Sequence, residues 1–202
     1  MWHSLYDIIV QKGWLVDGTG SPRRRADIAV TGEKIAKIGS LDHEPSTLRI
    51  DASGKIVAPG FIDMHSHADF TLLANPYSYC KIYQGITTEV VGNCGMSLAP
   101  FTRGRADEVK QYLGAFLFGQ VYSWDWSSLE EFFQTLEQRK IGVNLVQVIG
   151  HGTVRVSVMG FEARAPTDTE LRQMKHLVMQ GMAEGAAGLS SGLVYPPGCF
   201  AD

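Results

Sequence analysis

Beyond Lys55, short apolar runs alternate with stretches of helical periodicity, and this alternation constrains the fold more than any other feature of the chain. Runs at 60–64, 86–91, 143–149 and 187–190 have the length and β-branched content of buried strands, and strand–helix repetition argues a parallel sheet joined by crossover helices. Ser127 with Glu130 has capping-box spacing ahead of Leu129, Phe132, Phe133 and Leu136. Thr167 with Glu170 repeats it ahead of Leu171, Met174, Leu177, Val178 and Met182. At that helical spacing the methionines read as core packing. A closed barrel of eight βα units takes about 250 residues, roughly 31 per unit. The 202-residue chain leaves room after residue 54 for about five units, and four strands are legible. The pattern therefore fits either an unusual small α/β domain or the front half of something larger.

The first 54 residues have a different texture. Runs at 7–10 and 14–16 are β-prone, residues 17–20 (Asp-Gly-Thr-Gly) form a turn, and 26–30 with 35–38 flank Thr31-Gly32-Glu33-Lys34 as hairpin strands would. A small antiparallel layer is expected. Arg23, Arg24 and Arg25, beside Pro22, read as a solvated loop.

Composition narrows the function classes. A net charge of −3, with 45% hydrophobic and 19% charged residues, argues against disorder, a coiled coil and a generic nucleic-acid binder. No run approaches about 18 consecutive apolar residues, so no membrane-spanning helix is expected. Cys80, Cys94 and Cys199 are odd in number and form no CxxC pair, which favours a reducing compartment over a disulfide framework. The first residues lack the basic start of a secretory leader, and together these features predict a cytoplasmic protein.

The strongest chemical signal lies in residues 58–69, APGFIDMHSHAD. Strand side chains alternate, so His65 and His67 share a face at the strand's C-terminal end and form half of a metal site. A bare HxH also fits a surface or core pair, but its place after an apolar strand favours ligation. Cys94, in Gly92-Asn93-Cys94-Gly95, follows the next strand about one βα unit later and is expected beside the histidines. Its sulfur would add a soft anionic ligand suited to zinc. Cys80 is expected on a helix beside Tyr79 and Tyr83, packed in the core, and Cys199 carries no readable role. His151, after the third strand, is either a hydrogen-bonded loop histidine or a group supporting the metal ligands, and Asp69 is a second candidate for that support. Tyr195, after the fourth strand, offers a phenol that could donate to a developing oxyanion, with packing as the alternative.

These segments together resemble the D-aminoacylase (N-acyl-D-amino-acid deacylase) family of the amidohydrolase superfamily. Residues 59–67 match the superfamily's PGFIDxHxH signature, and residues 85–100, GITTEVVGNCGMSLAP, are more specific, with 150–155 and 188–198 also similar to the family. The resemblance implies an α/β fold: the front half of a (β/α)8 TIM barrel over 55–202, preceded by a small antiparallel β-sandwich subdomain begun by 1–54. It also implies zinc-dependent hydrolysis of the amide of a small-molecule N-acyl-D-amino acid. His65 and His67 would bind one zinc, Cys94 would be shared with a second metal position, and Tyr195 would polarise the acyl carbonyl. The family's two later histidines, its catalytic aspartate and its substrate-binding basic residues fall beyond this sequence. The isolated chain is therefore expected to be inactive or nearly so and to need a complementary C-terminal half. Two alternatives stay open: a hydantoinase-like cyclic amidase, whose relatives carry a carboxylated lysine as bridging ligand where this pattern has Cys94, and a non-catalytic fragment that pairs through its open sheet edges.

Overall fold

Turn residues and strand runs divide the chain into two compact units, Met1–Pro59 and Gly60–Asp202. The computed structural model describes residues 5–117 and 123–201; residues 1–4, on which the leader reading rests, lie outside the described residues.

The first unit holds β1 (Tyr6–Gln11), β2 (Trp14–Leu15), β3 (Arg24–Arg25), β4 (Asp27–Thr31), β5 (Lys34–Gly39), β6 (Ser46–Asp51) and β7 (Ile56–Val57). One sheet has the order β5-β4-β1-β6 and a second β3-β2-β7. The expected hairpin is present, with β4 and β5 antiparallel across Gly32 and Glu33. The layer is mixed, however, and not antiparallel throughout, because β1 pairs with β6 and β2 with β7 in parallel. Tight turns reveal only hairpin neighbours; β6 and β7 return by longer connections and expose most of their residues, which weakens any apolar alternation. Arg24 and Arg25, expected in a loop, form an exposed two-residue strand against β2. The Arg23 and Arg25 guanidinium groups lie 4.9 and 4.4 Å from the Trp14 ring centre, a cation–π arrangement. The core of this unit is Ile9, Ala29 and Leu41, with Tyr6 against it.

The second unit is a half-barrel of four parallel strands, β8 (Phe61–Asp63), β9 (Ile86–Val91), β10 (Asn144–Gly150) and β11 (Gly188–Ser190), in the order β11-β10-β9-β8. Each lies within a residue or two of its expected run. Between them come α1 (Asp69–Leu72), α2 (Tyr79–Ile82), α3 (Ala106–Leu113), α4 (Leu129–Arg139), α5 (His151–Met159) and α6 (Asp168–Ala183). Sequence order equals spatial order, as repeated βα units require. The core includes Phe70, Leu98, Leu113, Leu129, Phe132 and Ile149, with Trp126 donating its indole N–H to the Leu98 carbonyl at 2.9 Å. No helix among the described residues is long and apolar enough to cross a membrane.

Three local expectations are corrected. The cap of α4 is Ser128 with Glu131, one residue beyond the Ser127–Glu130 frame, whereas Thr167 with Glu170 caps α6 as expected. Cys80 does lie on a helix with Tyr79, but it is exposed, as are Tyr79 and Tyr83. On α6, Met174 is buried while Leu171 and Met182 face outward, because the buried stripe of that helix is narrower than its apolar one.

Candidate metal centre

β8 ends at Asp63, and the chain continues through Met64 so that His65 and His67 fall just past the strand's C-terminal end. β9 ends at Val91, and its parallel pairing with β8 brings the following loop alongside. There the Cys94 sulfur comes to 3.2 Å from His65 Nε2. One ligand atom from each of His65, His67 and Cys94 lies within 4.8 Å of the others.

The loop carrying Cys94 is held against its own conformational preference. Cys94 has φ +57°, a left-handed conformation that costs a residue with a Cβ roughly 1–3 kcal/mol. Gly92, at φ +82°, leaves no room for a side chain, since a Cβ there would lie 1.9 Å from the Val148 carbonyl oxygen. Hydrogen bonds from distant elements fix the turn. Tyr195 Oη donates to the Cys94 carbonyl. The Gly95 N–H donates to Ser190 Oγ at 3.0 Å, and the Gly95 carbonyl accepts from the Thr153 N–H at 3.1 Å and from Tyr112 Oη at 3.3 Å. Asn93 Nδ2 donates to the Val90 and Ser66 carbonyls at 2.8 and 3.2 Å, tying the loop after β9 to the loop after β8.

The His67 ring sits among aromatics, with the Phe116 and Phe70 ring centres 5.2 and 6.1 Å away. Burial, assisted by the neighbouring His65, holds the His67 pKa below the ordinary imidazole value, so its ring is neutral near pH 7. Its Nδ1 is buried with no hydrogen-bond partner. Two imidazoles and a thiol converging at the end of a parallel sheet, one imidazole neutral and unpartnered on a ring nitrogen, fit a thiophilic divalent ion such as zinc.

The other expected residues fall as follows. Tyr195 reaches the site through the Cys94 carbonyl, and burial raises the pKa of its phenol above the usual value, with Cys94 adding to the effect. His151 opens α5 outside the three-donor group. It lines an apolar cavity of about 560 Å³ with Leu171, Met174 and Met179, and burial lowers its pKa, with Arg155 contributing. Asp69 is fully buried at the start of α1, and neither carboxyl oxygen makes a hydrogen bond of good geometry. Burial pushes its pKa up to about 8, with the Phe70 N–H and the Gln147 amide opposing the shift. Tyr112, Ser190 and Glu89 belong to no chemical motif in the sequence. Only Glu89, an acid inside the apolar run 86–91, carried a local sign that it needs a partner.

The sequence profile described as "Amidohydrolase family" matches residues 49–197. The chain is 39% identical over 197 residues to N-acyl-D-glutamate deacylase of Alcaligenes xylosoxydans xylosoxydans, covering 97% of this chain and 39% of that protein. It is 40% identical over 192 residues to D-aminoacylase of the same organism, covering 95% and 39%. The solved structure of N-acyl-D-glutamate deacylase from Bordetella bronchiseptica, complexed with zinc and a phosphonate inhibitor, superposes with a TM-score of 0.86 at 37% identity, over 98% of this chain and 41% of that one. The chain thus spans about two fifths of the length of these relatives. With a family match over most of its length and donors gathered at the strand ends, the chain belongs to the amidohydrolase family.

Proposed function

We propose that this chain supplies the first half of a zinc-dependent N-acyl-D-amino-acid deacylase. The observation that carries the reading is the convergence of His65, His67 and Cys94 within 4.8 Å, supported by similarity to deacylases over 97% of the chain. The four parallel strands are read as the front of an eight-stranded barrel over 55–202, and residues 1–54 as part of a small β-sandwich subdomain. The three free cysteines support a cytoplasmic setting.

In this reading His65 and His67 ligate through ring nitrogens and Cys94 through sulfur. Zinc held there supplies Lewis acidity, which polarises an amide carbonyl and brings the pKa of water toward about 7. Phe70 and Phe116 shield His67 from solvent. Tyr195, protonated at neutral pH, donates to the acyl oxygen of the substrate; its hydroxyl is the one bound to the Cys94 carbonyl, so substrate binding exchanges one acceptor for another. His151 and Asp69 are proposed to support the ligand loops from outside. A general base and the groups that hold the substrate carboxylate come from a complementary C-terminal half, and without them general-base catalysis, typically 10²–10⁴-fold, is missing.

The test combines the chain with the portion of N-acyl-D-glutamate deacylase that lies beyond the matched residues, and follows release of free D-amino acid from N-acetyl-D-glutamate and N-acetyl-D-methionine. D-selective deacylation by the pair, abolished by chelation and by Cys94→Ser, is expected. Preferential opening of hydantoin would replace this reading with the cyclic-amidase one. Turnover by the chain alone would overturn the need for a second half.

A further inference from the structure

Behind the HxH segment lies a polar cluster, buried at Glu89, Ser66 and Ser78 and half-buried at Lys81 and Asp63, that metal ligation itself does not require. Glu89, mid-strand on β9, is fully buried. Its Oε2 accepts from Ser66 Oγ at 2.6 Å and its Oε1 from Ser78 Oγ at 3.0 Å. Lys81 Nζ lies 3.2 Å from Glu89 Oε2 and also pairs with Asp63. Asp63 Oδ1 accepts from the His65 N–H at 3.1 Å, and Ser66 Oγ accepts from the Ala68 N–H at 3.1 Å. The Ser66 N–H donates to the Val90 carbonyl at 3.0 Å. Backbone groups on both sides of the two histidines are therefore tied to one lysine–glutamate pair.

Stability alone is a weak reason for such a pair. Desolvating the Glu89 carboxylate is costly, the Lys81 ammonium is still about a quarter exposed, and apolar packing around β9 would serve stability as well. What the charged pair provides is direction: a carboxylate accepting from Ser66, and an ammonium gripping Asp63, fix the turn from two strands at once. We propose that Glu89 and Lys81 are positioning residues, which act through Ser66 and Asp63 to hold His65 and His67 in ligating geometry. This rests on the metal-centre reading above, and Glu89 does not itself touch the metal.

The experiment is a titration of the chain with Co²⁺, read from the cobalt d–d bands and the thiolate-to-cobalt charge-transfer band, with affinity set by chelator competition. Wild type is compared with Glu89→Gln, Ser66→Ala and the double variant. Each single variant is expected to bind Co²⁺ about 10–100-fold more weakly. The double variant is expected to be no weaker than the worse single one, because both changes cut the same link. Thermal unfolding of each metal-free variant identifies any that fails to fold. Should Glu89→Gln fail, Lys81→Met with Ser66→Ala completes the same comparison. Wild type that binds Co²⁺ without the thiolate band removes the metal-centre reading and this proposal with it. Wild type with the band and variants within twofold of it overturns the positioning role while leaving the metal centre intact. Losses that multiply in the double variant show independent effects and also overturn it.

Discussion

At the scale of single residues, the site depends on backbones that approach closer than side chains allow. Gly150 has an ordinary φ, yet a Cβ there would lie 2.6 Å from the carbonyl carbon and oxygen of Gly95 and from the Met96 nitrogen. All three are main-chain atoms of the turn beyond Cys94, so no rotamer change can relieve the contact. Gly150→Ala is expected to destabilise the chain by about 1–3 kcal/mol and to weaken Co²⁺ binding by moving Cys94. Gly104→Ala, which would meet nothing within 4 Å, serves as the neutral control. Urea denaturation and cobalt titration of both variants check this, and equal behaviour of the two would contradict it. The convergence of His65, His67 and Cys94 was legible because an HxH just past an apolar strand, followed by a cysteine about one βα unit later, is a local pattern. Their support was not: Tyr112, Thr153 and Ser190 reach the Cys94 turn from elements far along the chain, and no local spacing announces such a bond.

At the scale of elements, the α4 cap shows how neighbouring bonds settle a frame that sequence leaves double. Ser127-Ser128 and Glu130-Glu131 permit two capping boxes one residue apart. The Ser127 carbonyl is taken by the Phe101 N–H at 2.9 Å, which ties residue 127 to the preceding loop, and Ser128 caps. The Glu131 carboxylate accepts from the Ser128 and Ser127 N–H groups at 3.1 and 2.7 Å. Glu184, just past α6, adds a second anion at the same helix start, accepting from the Leu129 N–H at 2.8 Å. Ser128→Ala is expected to cost about 1 kcal/mol, and Ser127→Ala less, in chemical denaturation. The Glu131 contribution has a definite pH sign. The Ser128 and Ser127 N–H groups, with Arg103, hold its pKa below the usual carboxylate value. Its stabilisation is therefore fully present above the ordinary glutamate pKa of about 4.3 and is lost as pH falls through the depressed folded value. The stability difference between wild type and Glu131→Gln is expected to be constant from pH 6 to 8 and to shrink below pH 4. A difference that grows on acidification would reverse the assignment.

At the scale of the whole molecule, the order of the parallel strands follows from sequence because consecutive βα units pack beside one another. The first unit was less legible, since β6 and β7 pair with strands far from them in sequence. The same contrast governs stability. Among the described residues the first unit buries a cluster of Ile9, Ala29 and Leu41, whereas the second buries a cluster running from Ala68 to Ala186 that includes Phe70, Trp126 and Phe132. Free energy of opening tracks buried apolar surface, and a small sheet with few buried side chains sits at the low end. Amides of β1 and β4 are therefore expected to exchange with deuterium through an opening that leaves β9 and β10 protected. Ile9→Ala, which truncates one of the two large buried aliphatics of the small cluster at a typical cost of about 2–5 kcal/mol, is expected to accelerate exchange across β1, β4 and β6 and leave β9 and β10 unchanged. Phe132→Ala, about 3–5 kcal/mol, is expected to do the converse. Hydrogen exchange read by mass spectrometry distinguishes the cases: one common loss of protection in both variants would mean that the two clusters open as a single cooperative unit, and the separation of cores would then have no energetic counterpart.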